Sequence, residues 1–376
     1  MPRASSRTRA ISPLVIDGYT SLVLYADERN WRRELRSLFS TGGRGRRVSV
    51  WFEGAPQRFA EATLSPMGQR LTLHFWGSAF ITFDIRTGRI EIQARAESLW
   101  ADGFESWFES WAPWISTIAG VPGARDKNAW DLPLKIHRLE LCCDFVGFPI
   151  KRSDAGCFST KARSHVIESS RKGERVDTYG RCRPEVETIT LGSRTGRTSM
   201  AIYDKTNQLM STRGLRPENS FYAVQWSLSS DFTPGALITR VELRLSAHGL
   251  CFRDDDGALL DLTEPRALLN PVNLATLWKS ETARRRLLRP GSGRPSRRPI
   301  DPRWKVVQDA AGAGTPKIRL FQARDVRRLT HWEALARCER TLLRTGQSYA
   351  ALCGEPTLES MKLELRNHSL HSDAVG

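Results

Sequence analysis

Thr188-Ile189-Thr190-Leu191-Gly192-Ser193-Arg194-Thr195-Gly196-Arg197-Thr198-Ser199-Met200-Ala201-Ile202-Tyr203-Asp204-Lys205 is the stretch that decides how this chain is read. Two alternating apolar/polar runs flank a short connection containing Gly196, the pattern of a β-hairpin. The second run ends on Tyr203 and Lys205, two residues apart, and side chains two apart on a strand share a face. A phenol and an ammonium on one face can act on one phosphate, because the cation offsets charge on the phosphate oxygens and lowers the cost of forming a tyrosinate. A bare Tyr-x-Lys is far more often the exposed end of a strand, so its surroundings carry the reading.

Two further strands supply charged faces. In residues 137–145, Arg138, Glu140, Cys142 and Asp144 share one side, and Leu139, Leu141, Cys143 and Phe145 the other. In Arg240-Val241-Glu242-Leu243-Arg244-Leu245, Glu242 stands between two arginines, opposite an apolar face. Acidic groups among apolar neighbours lose hydration energy unless a cation meets them. If these strands are neighbours, Glu140, Asp144 and Glu242 form an oxygen-rich site suited to Mg²⁺ or Mn²⁺. The alternative is that each carboxylate pairs with its adjacent arginines in a structural ion network.

Gly192-Ser193-Arg194, Ile202-Tyr203-Asp204-Lys205, the Arg240–Leu245 run and the upstream Arg138-Leu139-Glu140-Leu141-Cys142-Cys143-Asp144 resemble, in order and spacing, elements of the Rep_trans family of rolling-circle replication initiators. The resemblance covers residues 120–250 most closely. It departs from the family pattern at Gln208, where an acid is usual, and at Glu140, where Asp is usual. It implies an α+β fold: an antiparallel-sheet, HUH-like nicking domain with flanking helices and a small helical C-terminal region. It also implies an enzyme, a metal-dependent DNA strand transferase that nicks origin DNA. Tyr203 would attack the scissile phosphodiester, leaving a 5′-phosphotyrosine and a free 3′-OH primer. Lys205 and Arg194 would support the phosphate, and Glu140, Asp144 and Glu242 would hold Mg²⁺ or Mn²⁺. The implied partners are single-stranded or extruded origin DNA, a host helicase and a DNA polymerase, with a homodimer compatible. Three settings stay open: replication of a rolling-circle plasmid or mobile element, conjugative transfer as a relaxase, and filamentous-phage replication. A non-catalytic DNA-binding regulator on the same scaffold is a further alternative.

Composition agrees with a polyanionic partner. The 376 residues carry a formal net charge of +16, which favours phosphate contacts and counterion release. Seven cysteines without a Cys-x-x-Cys pair speak against a disulfide framework or a zinc ribbon and for a reducing compartment. No run of 18 apolar residues occurs, and the basic start (Arg3, Arg7, Arg9) is followed by no signal-peptide core, so a soluble cytoplasmic protein without membrane contact is expected. No His-x-His pair exists, so the two-histidine metal cradle of the wider HUH endonucleases is missing. The Rep_trans family differs from that pattern too. Without Gly-x-x-x-x-Gly-Lys-Ser/Thr there is no ordinary P-loop helicase module.

Along the chain, residues 1–12 read as a mobile basic arm and 13–278 as the nicking domain. Within that domain Asp27 caps a helix with Trp31, Leu35, Leu38 and Phe39 on its apolar face and Arg32, Arg33 and Arg36 on the other. Strands are expected around 22–25, 48–52, 71–75, 81–85 and 90–92, with a hairpin across Thr87-Gly88. Phe104, Trp107, Phe108, Trp111, Trp114, Ile115 and Ile118 recur at three and four, which makes them one helix face and favours core over base stacking. Residues 151–185 read as a polar, basic insertion beside the site, and Asp254-Asp255-Asp256-Gly257 as an acidic hairpin turn. Residues 279–303 read as a basic linker, with Arg284, Arg285, Arg286, Arg297 and Arg298 as DNA-phosphate contacts. A helical C-terminal region over 304–360, including Trp332, Leu335, Cys338 and Leu342, and a tail over 361–376 complete the expectation.

Overall fold

Alternation of apolar and polar residues in Arg70–Phe75, Ala79–Asp84 and Arg89–Ala94 makes one-sided strands, and these form the middle of the sheet's meander half. The computed structural model describes residues 7–41, 45–160, 165–168, 188–193, 196–213, 219–253, 259–312 and 321–322. All belong to a unit spanning Met1–Ala323, while a second unit, Arg324–Gly376, lies outside the described residues. The architecture is α+β. A 13-stranded antiparallel sheet runs in the spatial order His165–Glu168, Thr188–Leu191, Thr198–Asp204, Ile238–Ser246, Lys135–Val146, Ser21–Tyr25, Arg89–Ala94, Ala79–Asp84, Arg70–Phe75, Phe59–Leu64 and Arg47–Trp51. The short strands Arg9–Ala10 and Val15–Ile16 also pair with Lys135–Val146.

One face of this sheet is the main core. Leu71, Leu73, Phe75, Ile81, Phe83, Ile90 and Ile92 point into it from the meander, and Leu139, Leu141, Cys143, Val241, Leu243 and Ile202 from the other half. The helix Ala96–Ile118 covers the meander half with its aromatic stripe, all seven expected residues being buried, so that stripe is core. Gly103 (φ 80°, ψ 167°) breaks this helix, a conformation open to glycine without a Cβ clash. The break has a consequence for the site. Phe104 and the residues after it join the main core, whereas Trp100, before the kink, joins a second cluster with Ile11, Cys142, Leu209, Tyr222, Trp226 and Ile238 on the opposite face.

Three expectations need correction. The arm does not end at residue 12 as a free segment: Arg9–Ala10 pairs with Phe145–Val146, Ile11 is buried, and its N–H donates to the Asp144 carbonyl. A strand at Phe59–Leu64 was not anticipated; Pro56 and Gln57 just before it and the small residues Ala60 and Ala62 on its inner face weaken the apolar signal. Residues 279–303 are not a linker. Lys279 to Arg284 continue the helix Pro271–Arg284, Arg286–Leu287 pairs with Phe158–Ser159, and Leu277, Trp278, Leu287 and Trp304 lie in the main core. The count of arginines hid the leucines between them and the tryptophans, Trp278 and Trp304, on either side.

The DNA-contact expectation changes accordingly. Arg285 is buried, pairs with Glu281 and donates to the Thr198 carbonyl at 3.2 Å, and Arg284 pairs with the same Glu281. Arg286 and Arg298 are half-buried, and Arg298 donates to the Arg289 carbonyl at 2.9 Å, whereas Arg297 is exposed. Arg285→Ala is therefore expected to lower stability by roughly 1–3 kcal/mol, because Glu281 keeps Arg284 but loses a buried partner. A denaturant midpoint unchanged by this substitution would return Arg285 to the surface role. The acidic turn at 254–257, most of the 151–185 insertion and the helical region beyond residue 323 lie outside the described residues.

Candidate active site

The central strands are neighbours in the register that the sequence required. Arg240 faces Asp144, Glu242 faces Cys142 and Arg244 faces Glu140, while Tyr203 faces Arg240 on the other side. Partners across a ladder point to the same face, so Tyr203, Arg240, Glu242, Arg244, Glu140 and Asp144 all lie on the sheet face opposite the main core. The hairpin Thr188–Leu191 with Thr198–Asp204 delivers Tyr203 at its last turn.

The geometry divides these residues into two groups. In the first, the Tyr203 hydroxyl donates to Glu242 Oε2 at 2.9 Å, and Glu242 Oε1 accepts from Arg244. Arg244 also lies 3.6 Å from Glu140, which accepts from Arg138 on the same carboxylate oxygen. The other Glu140 oxygen, Oε2, is buried without a partner. Burial, and then the neighbouring Glu242 charge, push the Glu140 carboxyl well above its ordinary range. The same two causes push the Tyr203 phenol well up, so the resting residue is a neutral phenol with a carboxylate acceptor in place.

The second group is an ion cluster roofed by aromatic rings. Arg240, with no exposed side-chain surface, donates to both Asp144 oxygens at 2.7 and 2.8 Å and to Asp17 at 2.7 Å. Trp226 donates to Asp144 at 2.8 Å and Trp100 to Asp17 at 3.0 Å. The guanidinium lies 5.0 Å from the Trp100 ring centre and 4.5 Å from that of Tyr222. Burial alone would raise the Asp17 carboxyl, but Arg240 and then Lys205 outweigh it and hold it below its usual value.

Lys205 sits at the junction. The strand ends at Asp204 and Lys205 opens the helix Lys205–Arg213, so the shared strand face expected for Tyr203 and Lys205 stops one residue short. Its ammonium donates to Gln208 at 2.8 Å and to the Tyr222 hydroxyl at 3.2 Å, and lies 5.9 Å from the Tyr203 ring centre. Burial, with Arg240 adding repulsion, brings it down to about 8. The partner of the phenol is thus Glu242 and not Lys205. Arg194 lies outside the described residues.

The proposed metal trio does not hold together. Among the described residues no group of three or more His, Cys, Asp or Glu side chains is arranged for a metal ion. All three carboxylates meet arginines, as the ion-network alternative required: Asp144 meets Arg240, Glu140 meets Arg138 and Arg244, and Glu242 meets Arg244. The oxygen of the trio left without a partner is Glu140 Oε2, which suits the mode in which Mg²⁺ takes one or two carboxylates and fills its shell from substrate phosphate and water.

No family model matches the chain. No curated protein matches it. Among solved structures it is similar to a rolling circle replication initiator protein from Geobacillus stearothermophilus, with 9% sequence identity and a TM-score of 0.39 over 79% of this chain and 97% of that one. The resemblance to Rep_trans therefore rests on the motif residues. No described helix is long and apolar enough to cross a membrane.

Asp17, Trp100, Tyr222 and Trp226 escaped the sequence reading. They come from three separate segments, Tyr222 and Trp226 sharing one short helix, and none stands in a local pattern that marks it. One trace was present: Gln208, noticed as a departure from the resembled pattern, is the partner of Lys205.

Proposed function

We propose that this chain is a DNA strand transferase that nicks single-stranded or extruded origin DNA through Tyr203 and so initiates rolling-circle replication of a plasmid or mobile element. The observation that carries this reading is the 2.9 Å hydrogen bond from the Tyr203 hydroxyl to Glu242, a nucleophile already paired with its base. In the attack, the Tyr203 Oη–phosphorus bond forms as the bond from phosphorus to the 3′ oxygen breaks. The phenolic proton passes to Glu242, and the departing 3′ oxygen takes up a proton to become the free 3′-OH. Arg244 steadies Glu242, and Lys205 stands close enough to offset charge on the phosphate. Mg²⁺ or Mn²⁺, when bound at Glu140 Oε2, would supply Lewis-acid polarisation of the phosphate. The phosphotyrosine keeps the energy of the broken bond, so rejoining requires no ATP. A host helicase and a DNA polymerase belong to this reading, as does a cytoplasmic location.

The test is direct. Incubation with single strands covering the sequence beside the chain's own gene is expected to give an SDS-resistant protein–DNA species that retains a label placed 3′ of the nick, while a 5′-end label leaves with a product extendable by a polymerase. Absence of both across such a tiling set overturns the reading. Glu242→Gln keeps an acceptor for the phenol but cannot take its proton, so adduct formation is expected to slow by roughly 10²–10⁴-fold, with DNA affinity kept. A rate within a factor of about three of the parent would remove Glu242 from the base role.

The cation has its own readout. Mg²⁺ or Mn²⁺ at about ten times its dissociation constant is expected to stabilise the protein by about 1.4 kcal/mol, visible as a rise in melting temperature. Glu140→Gln should abolish that rise. An equal rise in both proteins would place the ion elsewhere.

A further inference from the structure

The face that carries Tyr203 does not end at the ion cluster. Register links Arg138 to Ser21, Ser21 to Gln93, Gln93 to Phe80, Phe80 to His74, His74 to Glu61 and Glu61 to Ser49, one line of outward side chains to the far edge of the sheet. Eight inter-strand steps separate the Tyr203 strand from Arg47–Trp51, or about 38 Å along the sheet. At that far end the face becomes aromatic. Trp51 and Phe59 are cross-strand partners with ring centres 4.3 Å apart, 51% and 62% exposed. Trp76, 57% exposed, lies 4.0 Å from the His74 ring.

Exposed apolar residues scattered singly need no explanation, but large rings on two adjacent strands and just past the end of the next, Arg70–Phe75, are a patch. Cations accompany them. The Arg58 guanidinium lies 5.6 Å from the Trp51 ring centre, beside an open hollow of about 270 Å³ that both residues line, and Arg46 and Arg47 are exposed at the start of the edge strand. Nearer the tyrosine the same pairing recurs, with Arg138 5.6 Å from the exposed ring of Tyr19.

We infer that this aromatic end of the sheet is a stacking platform for single-stranded nucleic acid, continuous with the face that presents Tyr203. Rings supply a sequence-tolerant surface for bases, and interleaved arginines take the phosphates. Charge selects this occupant over a second copy of the chain: Arg47 pairs with Glu61 and Glu53 lines the hollow, but with Arg46 and Arg58 the cations outnumber the acids, so this edge repels its own duplicate and attracts a polyanion. The platform deepens the nicking reading by naming where the strand beyond the scissile phosphate lies, but its binding chemistry does not use Tyr203.

The experiment uses the full chain carrying Tyr203→Phe, so that DNA stays intact, and compares oligo(dT) with an abasic oligomer of equal length. The parent is expected to prefer oligo(dT). Adding Trp51→Ala, Phe59→Ala and Trp76→Ala should erase that preference, with affinity for oligo(dT) falling roughly ten-fold per ring engaged, while the salt dependence stays unchanged. Arg58→Ala should do the reverse, lowering the slope of log K against log salt by about 0.7 with the preference kept. Should the triple variant fold poorly, the pair Trp51→Phe (preference kept) and Trp51→Ala (preference reduced) reads the same quantity. Equal affinity of the parent for both oligomers, or a triple variant that binds like the parent, overturns the platform. So does a triple variant whose only change is a smaller mass by light scattering, which would make the patch a contact between copies. Failure of the nicking reading would leave the binding comparison untouched, and an adduct formed by the wild type without any base preference would overturn the platform alone.

Discussion

Tyr203→Phe is expected to abolish the covalent protein–DNA species while leaving DNA binding within a factor of about two. The substitution keeps the ring in its buried place, where Tyr203 is 7% exposed, and removes only the atom that forms the new bond. Glu242 loses the donor at Oε2 but keeps Arg244 at Oε1, so the fold should lose about 1 kcal/mol and remain native. Tyr222 is the rival nucleophile, since its hydroxyl stands 3.2 Å from the Lys205 ammonium. Among the described residues no carboxylate accepts from it, and it roofs Arg240. Tyr222→Phe should therefore retain adduct formation. An SDS-resistant adduct made by the Tyr203→Phe protein would sink the assignment, and its loss in Tyr222→Phe alone would transfer the role.

Arg240→Met is expected to be the most destabilising single change at the site, by roughly 3–5 kcal/mol, read as a lower urea midpoint at unchanged slope. Arg240 has 0% exposed side-chain surface and is the shared cation of Asp17 and Asp144, themselves 7% and 0% exposed. Removing it strands two carboxylates in the interior. The pH dependence gives a second signature. Asp17 is held below its usual 3.8, so in the wild type its contribution is present above about pH 4 and is lost as pH falls through the folded-state value. In Arg240→Met the stranded carboxylates favour protonation, so the stability deficit should shrink as pH falls towards 4. A deficit that is constant with pH would mean that Arg240 acts through packing on Trp100 and Tyr222 and not through charge.

The ion-network alternative accounts for contacts of all three carboxylates: Arg240 reaches Asp144 with two donors, Arg138 and Arg244 meet Glu140, and Arg244 meets Glu242. What is left for chemistry is the phenol on Glu242 Oε2 and the unpartnered Glu140 Oε2. Nothing in the spacing Arg-x-Glu-x-Cys-x-Asp distinguishes the two acids, since both lie on one strand face. Arg244 stands across from Glu140 and Arg240 across from Asp144, and cross-strand register decides that.

Local periodicity was enough for the strands of the meander other than Phe59–Leu64, the hairpin that presents Tyr203, the burial of the tryptophan stripe and the shared face of Glu140 and Asp144. Each follows from alternation of two or from recurrence at three and four, which are properties of a few consecutive residues. The tertiary structure alone decided the rest. The phenol meets Glu242 because two strands some 39 positions apart in the chain pair in one register. Arg285 is interior because Glu281 and the carbonyl of Thr198 surround it, although its triplet with Arg284 and Arg286 reads as surface charge. Arg240 is buried because Asp17, Trp100 and the helix bearing Tyr222 and Trp226 converge from three segments. A residue's charge and neighbours in sequence set what it can do; whether it faces water, a carboxylate or a ring is a balance of desolvation against partners, and those partners are brought by the fold.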